Sequence, residues 1–102
     1  MKPAHGLRFV LERASSEEVL ALYRGTIETA EQSVPIVITV RTDPSTPDGL
    51  GVEPRLDGPT DWDDKRRTTL LRQAGIMARS AVRGARKDGL PPPRRIQRWR
   101  DL

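Results

Sequence analysis

The chain has no cysteine, which excludes disulfides and thiolate metal sites and implies no oxidising compartment. Its one histidine, His5, stands between Pro3 and Gly6 near the start, without an orienting partner that would make it a catalytic base. Aromatic residues are scarce: Phe9, Tyr23, Trp62 and Trp99 make a thin core for 102 residues. No run approaches the ~20 apolar residues of a membrane span, and Met1–Gly6 lack the apolar stretch of a secretory leader. A soluble, cytoplasmic chain without membrane contact is expected. A phosphate-binding glycine loop is also missing, since Gly49-Leu50-Gly51 has neither a third glycine nor a following helix, and no serine sits in a nucleophile elbow. These absences point away from an enzyme and require no cofactor.

Acidic residues are nearly missing from the C-terminal part. Residues 1–64 hold six of the Lys/Arg and twelve of the Asp/Glu, a balance of −6, whereas residues 65–102 hold twelve bases against Asp88 and Asp101, a balance of +10. The summed charge of +4 hides both halves. Such a split predicts a C-terminal surface that meets an anionic partner, either nucleic acid or an acidic protein. Arginine outnumbers lysine 15 to 3. A gene rich in G and C produces the same bias, so the positions of these residues carry more weight than their identity.

Leu7, Phe9 and Leu11 alternate with Arg8, Val10 and Glu12, the pattern of a half-buried strand. Ser15-Ser16-Glu17-Glu18 has the form of a capping box, and Val19, Leu20, Tyr23, Ile27 and Ala30 then fall on one helical stripe. That predicts a first helix ending near Gln32-Ser33. Ile36-Val37-Ile38-Thr39-Val40 is the most β-prone run and is apolar on both faces, as in a central or parallel strand. Strand, helix and strand together read as a βαβ unit. Residues 43–60 carry four prolines and three glycines and predict a long irregular loop. Within it Leu50–Glu53 offers a third strand, which Pro54 would confine to a sheet edge. A second helix starts at Thr60-Asp61-Trp62-Asp63, with Thr60 as the expected N-cap and Asp63 as the reciprocal acid, and runs to Asp88, stopped by Gly89 and Pro91-Pro92-Pro93.

The expected fold is a small α+β domain over residues 1–89, a two-layer β-α-β-α arrangement with a short sheet. A basic, proline-hinged tail over residues 90–102 follows. Two strands rarely make a stable sheet alone, so a second copy or another protein is expected to complete it.

Two constellations suggest function. On the second helix Lys65, Arg72, Arg79 and Arg86 recur every seven residues, with Arg83 beside them. The stripe drifts only about 20° per heptad, forming a cationic ridge opposite an alanine-rich apolar face. In the tail Arg94, Arg95, Arg98 and Arg100 surround Ile96 and Trp99, a mix of charge and indole suited to single-stranded nucleic acid. The expected function is therefore non-enzymatic nucleic-acid binding through the phosphate backbone. The alternative is a protein-docking module that uses its incomplete sheet edge, with Ile96 and Trp99 as anchors in a partner's groove. Asp61, Asp63 and Asp64 are read as capping and dipole-compensating residues, not metal ligands.

Overall fold

A computed structural model describes residues 6–15 and 20–100. Its elements in chain order are β1 (Leu7–Ser15), β2 (Ala21–Glu28), β3 (Ser33–Thr42), β4 (Leu50–Leu56), α1 (Asp64–Lys87) and β5 (Arg95–Arg100). The five strands form one sheet in the order β4-β3-β2-β1-β5, with every neighbouring pair antiparallel. The domain is thus α+β, but its layout is not β-α-β-α.

The predicted first helix is instead β2. Ala21, Tyr23 and Ile27 are buried while Arg24 is exposed, and the two periods coincide because Tyr23 and Ile27 are four residues apart, a spacing that suits both helix and strand. Gly25 breaks the tie. A Cβ on Gly25 would collide with the Val10 carbonyl of β1, so the residue allows the two strands to approach where the sheet coils. The Thr29–Gln32 turn then returns the chain antiparallel: Thr29 N–H donates to the Gln32 carbonyl at 2.8 Å, and the Thr29 hydroxyl accepts from the Gln32 N–H at 3.1 Å. With so short a turn there is no crossover and no βαβ unit. The Ser15–Glu18 capping pattern falls largely on residues 16–19, outside the described residues.

β3 is hydrogen-bonded on both sides, as its two apolar faces imply, although its neighbours are antiparallel. Val37 points away from the main core yet is only 1% exposed. Its register partners are Arg24 and Arg55, and both reach Asp57, at 3.8 and 3.4 Å. The two arginine stems therefore roof Val37. The loop predicted over residues 43–60 contains the full strand β4, and that strand does lie at an edge. Pro54 faces Ile38 there. The bonds from Asp57 N–H to Pro35 and from Asp43 N–H to Gly49 place the hydrogen-bonded pairs at odd positions, so the missing proline N–H points to the open edge.

The helix follows its predicted course with a shifted cap. Asp63, not Thr60, accepts from the Arg66 N–H at 2.7 Å. At the other end Leu90 N–H bonds to the Ala85 carbonyl at 2.8 Å and Gly89 N–H to Arg86 at 3.0 Å, with Gly89 at φ 71°. This is a Schellman ending. Leu70, Ala74, Met77, Ala78 and Val82 face the core, which Trp62 joins ahead of the helix. α1 lies chiefly against β4 and also touches β3 and β5. The sheet therefore coils until both of its edges reach the helix.

The predicted tail is also corrected. Arg13 donates to the Pro92 carbonyl at 2.7 Å and Tyr23 to that of Pro93 at 2.6 Å. The prolines are thus moored to the domain, and β5 pairs with β1 from Arg95 to Arg100. The chain itself supplies the strand that a second copy was expected to provide.

Candidate nucleic-acid interface

The structure divides the predicted site residues between two surfaces. Lys65, Arg72, Arg83 and Arg86 are exposed along the outer side of α1. Among the described residues Lys65, Arg72 and Arg86 form no ion pair, and Arg83 comes only to 4.0 Å from Asp48. Arg79 behaves differently. It donates to Asp48 at 2.7 Å and to the Leu50 carbonyl at 2.9 Å, tying the helix to the β3–β4 connection. The Asp48 carboxyl is held below the usual aspartate range mainly by that Arg79 hydrogen bond. Heptad spacing puts Arg79 in the ridge, with no acid beside it in α1; its partner lies 31 residues earlier. Ile76, 59% exposed, sits on the same outer side of the helix.

The residues of β5 are parted by strand alternation. Ile96 faces Leu11 and is buried in the core, so it is not available as an anchor for a partner. Arg98 and Arg100 share its side of the sheet, beyond the cover of the helix. Arg95, Gln97 and Trp99 lie on the opposite, open face beside Glu12, Val10 and Arg8. Arg94 N–H and C=O belong to the β1 side, because its carbonyl accepts from the Arg13 N–H at 2.8 Å. Alternation therefore turns the Gln97 and Trp99 carbonyls outward. Arg98 caps the first at 2.8 Å and Arg100 the second at 3.1 Å. The free edge of β5 is thus partly closed to an added strand.

Trp99 is 54% exposed. The Arg8 guanidinium lies over its ring, 5.3 Å from the centroid, and is itself fixed by an ion pair with Glu28. At the far end of β5 an open cleft of about 410 Å³ is lined by Glu12, Arg13, Arg94 and Arg95. Arg8, Glu12, Arg13 and Gln97 were missing from the sequence-derived site. The alternation of β1 had put Arg8 and Glu12 on the outward face, but nothing local revealed that β5 would lie beside them.

The three aspartates before and at the start of α1 have structural partners. Asp63 caps the helix, Asp61 accepts from Gln32 at 2.7 Å, and Asp64 pairs with Arg67 at 3.2 Å. Among the described residues no group of His, Cys, Asp or Glu is arranged to hold a metal, and no helix is long and apolar enough to cross a membrane. The chain matches no protein-family model, no curated protein and no solved structure.

Proposed function

We propose that this protein is a cytoplasmic, non-enzymatic nucleic-acid-binding protein whose helix α1 tracks the phosphate backbone. The observation that carries the reading is the outward row of Lys65, Arg72 and Arg86, which form no ion pair among the described residues. It spans roughly 30 Å, from 1.5 Å per residue, and α1 contains only one acid, Asp64. An exposed helix gains from interleaved glutamates at i,i+4 spacing and loses from like charges in register, so the cost borne here suits a surface with an external anion. Arg79 serves the fold, and Arg83 supports the row.

Replacing Lys65, Arg72 and Arg86 together by glutamine tests this. Affinity should fall for every sequence alike, and the slope of log K against log salt should drop by about three. Unchanged binding by the folded variant would sink the proposal.

The exposed Ile76 among these arginines favours a second reading, an acidic protein partner docked on the same helix face. Ile76→Ser would then abolish capture of that partner, whereas phosphate binding would tolerate it.

A further inference from the structure

We infer that the open sheet face along β1 and β5, together with the cleft at the start of β5, is a track for single-stranded nucleic acid, in which Trp99 stacks on a base and the Arg13–Arg94–Arg95 cleft holds a phosphate of the same strand. This rests on the nucleic-acid reading above and names a substrate class for a second surface.

Three observations converge along β5: Trp99, Gln97 and Arg95 lie on its open face, and Arg13 and Arg94 reach the cleft at its start from the Tyr23 side of the sheet. First, Trp99 combines exposure with fixation. Arg8 lies over the indole and is anchored by Glu28, while the residue remains 54% exposed. A base stacking there meets an oriented platform backed by a cation. Second, Arg94 and Arg95 are exposed and among the described residues form no ion pair, while Arg13 is positioned by its bond to Pro92. Three guanidiniums around one cleft suit an oxyanion with several acceptor oxygens. Third, Gln97 lies between Arg95 and Trp99 on the same face and presents an amide to passing base edges. Glu12 in the cleft can accept from an exocyclic amine.

The geometry favours an unpaired strand. Arg95 and Trp99 are four positions apart on one strand, on the order of 13 Å along β5, so the stacked base and the clamped phosphate belong to different nucleotides. A duplex keeps its base faces stacked on one another and has none to offer to Trp99. The outer face of α1 is different: no aromatic lies on it, and it engages backbone charge alone. Arg98 and Arg100 bond the Gln97 and Trp99 carbonyls at the strand edge, do not line the cleft, and take no part in the track.

The test titrates the full chain at low salt with a short oligothymidine, an oligouridine and a duplex of the same length, following tryptophan emission and anisotropy. Oligothymidine or oligouridine should quench emission, the stronger of the two identifying DNA or RNA as the source. Trp99→Ala should weaken single-strand binding about tenfold and leave duplex affinity unchanged, whereas Trp99→Phe should retain most of it. Replacing Arg94 and Arg95 by glutamine should lower the single-strand salt slope by about two, and replacing Arg98 and Arg100 should not. Wild-type single-strand affinity in folded Trp99→Ala overturns the track, as does an equal loss for duplex and single strand. Loss of duplex binding only in the Lys65/Arg72/Arg86 variant separates the helix surface from this one. Failure of the wild type to bind any of the probes overturns both.

Discussion

The Tyr23 hydroxyl donates to the Pro93 carbonyl at 2.6 Å, a bond that joins the second strand to the segment leading into the fifth, 70 residues later. Tyr23 is buried, and that burial raises its hydroxyl pKa to about 12, with nearby Arg13 opposing the shift. The neutral phenol is thus the form the fold requires. Because the folded value exceeds the unfolded one, its contribution is intact below about pH 10 and is lost as pH rises through about 12. Tyr23→Phe should cost about 1 kcal/mol at pH 7. The variant should also lose less stability than wild type between those two pH values, as read by urea denaturation.

Arg79 and Arg72 lie seven residues apart on one helix yet should respond differently. Arg79→Gln frees Asp48 and the Leu50 carbonyl and should lower the urea midpoint. Arg72→Gln should leave it within about 0.5 kcal/mol of wild type while weakening nucleic-acid binding.

Asp48 also sets an acid limit. Its carboxyl is depressed in the fold by the Arg79 hydrogen bond, so its stabilising effect is present above about pH 4 and is lost as pH falls below it. Asp48→Asn should be less stable than wild type at neutral pH and should flatten the acid limb of the stability profile.

Ile96→Ala distinguishes an anchor from a core residue. With Ile96 buried opposite Leu11, the substitution should destabilise the fold by roughly 2 to 5 kcal/mol. A thermal melt close to wild type would contradict its place in the core.

Gly25→Ala should destabilise by roughly 3 kcal/mol, because the new methyl group meets the Val10 backbone and not a side chain that can swing aside. Urea denaturation followed by circular dichroism reads the loss, and a variant as stable as wild type would mean that β1 and β2 are not so closely apposed.

Local chemistry in the sequence was enough to define β1, β3, the edge position of β4, and α1 with its glycine stop. Each depends on periodicity, a proline or a cap within a few residues, and so does the outward row of Lys65, Arg72 and Arg86. Three outcomes were decided only by tertiary structure. Residues 21–28 became a strand because Gly25 and the Thr29–Gln32 turn let them pair with β1 and β3, a choice that the four-residue spacing of Tyr23 and Ile27 leaves open. Residues 95–100 became β5 because Arg13 and Tyr23 capture the proline segment and an open edge of β1 awaits it. Arg79 left the ridge because the β3–β4 connection brings Asp48 to it. In all three the deciding partner is remote in sequence, and pairing across such distances leaves no periodic trace in either segment alone.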